Sequence, residues 1–366
     1  MDNFEVEFAK IEEEYNSRPT DKLMERIKTE NPPIVIFGYG KIGIEIAEKI
    51  SRAHGNVVAF CDNFKRGNSQ QTNFPIISPE QLVSDYKKAV VVVAVCYKYN
   101  DEIYNQVLNM GFVPENVFRR YNRECELYDL SEIKQYYSGY QWAYNFFEDD
   151  ISKQIILERI QEYLFYHVMT HSPCENQYFE DQIIQLSNQE IFVDGGCYIG
   201  DTIAEFLKHV EGQYKSIYGF EPDYENFIKA QENFKKYRNI QVINKGLWNK
   251  QETLTFEHNE SESTGSRISH TGNESIETIS LDAFFMGKPL DELPTFIKMD
   301  IEGAEKNALI GAKNIISMKH PKLAICVYHK PEDIYELPRL IHTLGDYQFT
   351  LRHYTMWQCE TVLYAF

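Results

Sequence analysis

The sequence predicts an α/β protein built from two Rossmann-like, doubly wound domains joined by a helical connector. Three observations carry this. Two glycine-rich turns, IVIFGYGKIGIEIA at 34–47 and IFVDGGCYIGDT at 191–202, each follow an apolar run and open a helical pattern. Short apolar runs alternate with helical patterns around both turns, which implies parallel sheets covered on both faces. Between them, residues 123–187 are aromatic-rich and helically patterned.

Residues 1–30 carry spaced apolar positions (Phe4, Phe8, Ile11, Tyr15, then Leu23, Ile27) and read as one or two amphipathic helices broken near Pro19. A first domain spans 31–122, with strands IVIFG, VVAFCD, PIIS, AVVVVAV and NVFR and helices at 41–52, 79–87 and 100–110. The connector contains YYSGYQWAYNFFEDD and ISKQIILERIQEYLFYHVM; its aromatics read first as helix packing, with sugar stacking the alternative. The second domain spans 188–366, with strands IFVDGG, SIYGFEPD, IQVINKG, LTFEH, TFIKMDIEG, KLAICVYH, FTLRHYT and ETVLYAF. Its helices are expected near 201–210, 223–237, 304–317 and 331–344. The last two strands have no helix after them, so a hairpin-like pair with an antiparallel strand should close the sheet. The polar stretch HNESESTGSRISHTGNES reads as a surface loop or lid.

The bulk numbers exclude several classes. At 366 residues, 43% hydrophobic and 25% charged, the chain can bury two cores. A formal charge of -18 argues against nucleic acid and against an anionic membrane surface. The start, MDNFEVEFAK, lacks the apolar core of a signal peptide, and AVVVVAV at 89–95 is far short of a membrane span. Seven scattered cysteines without a CxxC pair suggest neither a disulfide framework nor zinc, so a reduced cytoplasm is expected.

The second turn suits a cation. Asp194 and Glu221 are each the first acid after a strand, so both face the crevice at the sheet's carboxyl edge, with Asp201 close behind. A pyrophosphate there would meet like charge, worth about 4 kcal/mol of repulsion at ~4 Å and an effective dielectric near 20. S-adenosylmethionine brings a sulfonium, an ammonium and no phosphate. Gly195, Gly196 and Gly200 are expected to let the backbone approach it, and the helix start at Asp201 and Thr202 to offer N–H groups to its carboxylate. Asp194 would lie near the ammonium and Glu221 would accept from the ribose. Asn244, Gly246 and Leu247 would border the adenine.

The set FVDGGCYIGDT, YGFEPD, TISLDAF, IKMDIEGAE and RHYT…ETVLYAF resembles FkbM-type S-adenosylmethionine-dependent methyltransferases over about 188–366. The resemblance implies a methyltransferase-type, mostly parallel sheet and O-methylation of a sugar or another small hydroxylated metabolite.

Methyl transfer is an in-line displacement that gains from alignment and from a base. His329, at the end of KLAICVY, is the expected base because its ordinary pKa is near 6.5. Asp300 would position the acceptor or the methyl group, with Lys298 pointing to the same end of the sheet. Glu302, His353, Tyr354 and Arg267 are expected at the acceptor. Oxygen and imidazole ligands could converge at Asp300, Glu302 and His329, but no spacing requires an ion and no metal is expected.

The first turn differs. Gly38, Gly40 and Gly43 with Lys41, and Asp62 ending the next strand, favour a phosphate-bearing ligand: a nucleotide sugar or NAD(P). Packing alone would also use such glycines. The module resembles small Rossmann-like domains found on sugar-modifying bacterial enzymes. A small-molecule or glycan O-methyltransferase is therefore the leading reading, with no nucleic-acid partner, no membrane span and room for a homo-oligomer. A nicotinamide-dependent sugar oxidoreductase and a non-catalytic nucleotide-binding scaffold are the alternatives.

Overall fold

A computed structural model of the chain describes residues 3–17, 22–52, 54–69, 71–95, 97–119, 128, 130–165, 173–257, 267–268, 274–355 and 359–366. It divides into two compact units: one of Met1–Phe8, Ser131–Gln161 and His167–Phe366, the other of Ala9–Leu130 and Glu162–Tyr166. The stretch 123–187, read above as a connector, is divided between the two units. No helix among the described residues is long and apolar enough to cross a membrane.

In the smaller unit, Ile34–Phe37 and Val90–Val93 lie side by side and every residue of both is buried. Runs of β-branched residues hidden on both faces are what a parallel sheet between two helical layers requires. The order across the sheet is Gly67–Asn68, Pro75–Ile77, Val57–Cys61, Ile34–Phe37, Val90–Val93 and Val117–Arg119. Only the two-residue strand Gly67–Asn68, which no periodicity announced, runs antiparallel.

The larger unit holds a seven-stranded sheet ordered Phe349–His353, Thr361–Ala365, Lys322–Cys326, Phe296–Met299, Ile191–Gly195, Ser216–Phe220 and Ile240–Ile243. Thr361–Ala365, the last strand of the chain, is antiparallel to both neighbours and inserts one place in from the edge. Aromatic rings fill the space beneath the middle strands: Phe192 stacks on Phe206 and on Phe296, at centroid distances of 4.5 and 5.1 Å. Each such ring contributes roughly 1.5–3 kcal/mol by burial. The helix expected over 304–317 is two helices, Glu305–Ile310 and Lys313–Lys319. They part at Gly311, where a Cβ would stand 2.1 Å from the carbonyl oxygen of Trp248.

Within this unit the aromatic run forms the helix Tyr137–Phe146, which packs on Asp333–His342. Gly139 permits the approach, since a Cβ there would meet the Tyr335 ring at 2.5 Å. Tyr140 is fully buried and donates its hydroxyl to the carbonyl of Pro331. Trp142 lies against Phe146 and under Arg339, so these aromatics serve packing.

Candidate functional site

The strand sequence reverses direction between Ile191–Gly195 and Phe296–Met299: from the first the chain proceeds to one edge, from the second to the other. Ligands of open α/β sheets bind at such a switch point, outside the carboxyl ends. Register puts Asp194 directly beside Lys298 on one side and Gly219 on the other. Asp194 is fully buried and its Oδ1 lies 2.9 Å from the ammonium of Lys298, itself 2% exposed. The same ammonium donates to the carbonyls of Gly195 and Gly196 and sits 5.3 Å from the centre of the Tyr178 ring. Burial pushes the Asp194 carboxyl up to about 6, against the pull of Lys298. Burial also works against the charge of Lys298, but Asp194 and Asp300 hold the ammonium firmly protonated. Lys298 therefore braces the turn from below. Both Asp194 oxygens lack a hydrogen bond of good geometry, so the pair leaves acceptor capacity at the switch point.

The turn itself is fixed by close contacts within the protein. Gly196 has φ of 72°, and a Cβ there would fall 1.9 Å from the Asp300 carbonyl oxygen. Gly200 has φ of 89°, and its Cβ would strike the Phe234 ring at 2.1 Å. Both glycines are needed, but the atoms they make room for belong to the chain, not to a ligand. Gly195 is similar, with Leu247 Cδ1 2.8 Å from its would-be Cβ. Gly196→Ala is expected to lower the melting temperature and to abolish cofactor binding, as thermal unfolding with and without cofactor would register. Beyond the turn, the helix Asp201–His209 begins at Gly200 with no side-chain cap, so its first N–H groups are open to a carboxylate. Asp201 is exposed and Thr202 half-buried there.

Glu221, 7% exposed, follows Ser216–Phe220 and reaches back to the turn. Its Oε2 accepts from the Tyr198 N–H at 2.8 Å and its Oε1 from Asp223 N–H at 2.9 Å. Burial pushes its pKa up to about 7, with the two amides pulling the other way. Each oxygen retains a lone pair for a hydroxyl donor. Asn244 donates to the carbonyls of Glu221 and Pro222 and so holds this corner. Gly246 and Leu247 form a short buried strand beside it.

Across the switch point, Asp300 accepts from the hydroxyls of Tyr178 and Tyr328, both at 3.1 Å. Burial opposes its charge, but Lys298, His329 and these hydroxyls hold the carboxyl below its usual range. His329 stands among three acids: Nδ1 is 3.1 Å from Glu305, and Nε2 is 3.5 Å from Asp300 and 3.7 Å from Glu302. Burial disfavours its charge, yet Glu305, Asp300 and Glu302 push its pKa up to about 9. As these residues stand, the ring is protonated at neutral pH; to accept a proton it must first lose one.

The sequence offers Glu305 as an acid soon after Asp300, at the end of IKMDIEGAE, and singles out none of Tyr178, Tyr328 and Glu360. Tyr178, Glu302 and Glu360 all have positive φ, at 70°, 56° and 72°. Such strain in non-glycine residues gathers at functional sites. His353 is fully buried and hydrogen-bonded to Thr361, while Tyr354 bonds to Glu180 and Tyr364, so both are tied into packing. Arg267 lies in a short strand paired with Glu257; most of the polar stretch around it lies outside the described residues.

The first glycine turn is used differently. A Cβ on Gly38 would meet the Ala94 carbonyl oxygen at 2.5 Å, and one on Gly43 the Gly38 carbonyl oxygen at 2.0 Å. Asp62 accepts three backbone N–H groups, from Tyr39, Phe64 and Lys65. Burial opposes its ionisation, but these amides hold its pKa down. A ribose would have to compete with them. Gly40 has open space beside it, and Lys41 begins the next helix. Asp62→Ala should cost the smaller unit about 1–3 kcal/mol, read as an earlier thermal transition.

Residues 194–351 match the family model described as the methyltransferase FkbM domain, and residues 30–118 that described as C2185-like, N-terminal. The solved structure of methyltransferase FkbM from Methylobacillus flagellatus KT is similar over 100% of this chain and 99% of its own, with 22% identity and a TM-score of 0.78. At that identity the likeness shows a shared fold. Fibrillarin from Aeropyrum pernix, solved with S-adenosyl-L-methionine, is similar over 51% of this chain and 71% of its own, at 14% identity and a TM-score of 0.31, too low to carry an argument. No curated protein matches the sequence.

Proposed function

We propose that this chain, whose residues 194–351 match the methyltransferase FkbM domain, is an S-adenosylmethionine-dependent methyltransferase acting on a hydroxyl of a sugar, nucleotide sugar or glycan precursor. The observation that carries the cofactor's placement is the pair of buried acids, Asp194 and Glu221, on either side of an uncapped helix start. The open acceptor sites of Asp194 and the ionised form of Glu221 favour the ammonium and the sulfonium; the open N–H groups favour the carboxylate. Glu221 takes the ribose hydroxyls. The nucleotide-sugar or NAD(P) ligand expected at the first turn gains no support from Asp62, whose oxygens are already engaged.

The acceptor approaches from the side of Asp300, Glu302 and His329. Bound S-adenosylmethionine would supply the methyl group, and Asp300, Glu302 and His329 would orient the acceptor hydroxyl and take up its proton. The charged and hydrogen-bonding groups at this strand end, Asp300, Glu302 and His329, suit a sugar better than an apolar acceptor. A transfer screen with labelled methyl donor against nucleotide sugars and glycans tests the reading; label appearing only on nitrogen or carbon acceptors would overturn it. His329→Ala is expected to reduce turnover at least 100-fold with cofactor Kd changed less than threefold. Unchanged turnover would remove His329 from the reaction.

A further inference from the structure

We propose that Asp300, Glu305 and His329 form a binding site for one divalent cation, of the Mn²⁺ or Mg²⁺ class, at the acceptor side of the switch point. One ligand atom from each of the three lies within 4.8 Å of the others. Ligands about 2.1–2.3 Å from a shared ion stand at most about 4.6 Å apart, so the set needs only a slight contraction. The residues come from two neighbouring strand ends: Asp300 and Glu305 follow Phe296–Met299, and His329 follows Lys322–Cys326.

A second observation points to a ligand. The His329 side chain is 7% exposed and neither ring nitrogen makes a hydrogen bond; the 3.1 Å approach of Nδ1 to Glu305 lacks the geometry of one. Glu305 is fully buried, with Oε1 taking the Ile301 N–H and Oε2 left without any hydrogen bond. Buried polar atoms are nearly always partnered, and buried charge is paired or coordinates a metal. The charges tell the same story. Asp300, Glu302 and Glu305 surround one imidazole, while Lys298 is shared with Asp194 and the Lys330 ammonium is held by the Gly303 carbonyl. A divalent ion would balance the excess. Two carboxylates supply the hard oxygen ligands that Mn²⁺ and Mg²⁺ take, and Mn²⁺ is the probe with a spectroscopic signal.

The inference rests on the methyltransferase reading only for the ion's purpose. There it would hold the acceptor oxygen in line with the methyl group, and the hydroxyl proton would leave through the half-exposed Glu302. The binding test is independent of that reading. Full-length protein is stripped with chelator, then titrated with Mn²⁺ and followed by electron paramagnetic resonance, in parallel with calorimetry of S-adenosylmethionine. One Mn²⁺ per chain in the wild type, weakened at least tenfold in Glu305→Gln and in His329→Ala, is the expected result. A wild type that binds no Mn²⁺ while binding the cofactor would overturn the site and leave the methyltransferase reading intact. Equal Mn²⁺ affinity in wild type and Glu305→Gln would overturn it as well.

Discussion

Lys298→Met is expected to destabilise the larger unit by about 3–5 kcal/mol at neutral pH and to weaken the cofactor at least tenfold. The lysine side chain is buried and is the counter-charge of a fully buried Asp194. Its removal also frees the carbonyls of Gly195 and Gly196 that shape the turn. The sign with pH follows from Asp194. Its folded pKa, about 6, lies above the ordinary 3.8, so its burial subtracts stability as pH rises through that window. Without Lys298 the window extends further upward. The loss should therefore be larger at pH 8 than at pH 5, where Asp194 takes up a proton. Asp194→Asn combined with Lys298→Met should recover part of the loss, because no unpaired charge remains. Thermal unfolding of the four proteins at the two pH values checks this; equal losses at both, with no recovery in the double variant, would contradict it.

The second large effect concerns Glu221. Its carboxyl titrates near pH 7 in the free protein because it is buried. Ribose hydroxyls donate to the ionised form, so binding should release a proton and tighten as pH rises. From a pKa of about 7, the ionised fraction falls from one half at pH 7 to a few per cent at pH 5.5. Cofactor affinity should fall by about 15-fold over that interval and level off above pH 8. Glu221→Gln should bind weakly at every pH and lose this slope. Calorimetry in buffers of different ionisation enthalpy would count the released proton; a flat wild-type profile would dismiss the role.

Much of this site is legible in the sequence because a strand end exposes the next residue to the crevice. Asp194, Glu221, Asp300 and His329 each sit at or just past such an end, and the short apolar runs before them locate them. The glycines were legible as necessary but not in their reason: contact with the Asp300 carbonyl and the Phe234 ring is made by segments far along the chain. Tyr178 comes from irregular backbone with no periodicity to read. Glu305 is legible only as an acid soon after Asp300, and only folding brings it against His329. Asp62 shows the converse. An acid ending the strand after GYGKIG is expected beside a phosphate-bearing ligand, yet three local amides already donate to it. Spacing along the chain cannot reveal that competition, which depends on how the 62–65 turn folds back.

The most direct test of the central claim, that the acid-flanked turn at 194–202 and Glu221 select a sulfonium donor, is a calorimetric titration of full-length protein with S-adenosylmethionine and, separately, with NADH. One S-adenosylmethionine per chain, lost in Glu221→Ala, with no NADH competition, is the predicted result. Saturable NADH binding with no heat from S-adenosylmethionine would contradict the account.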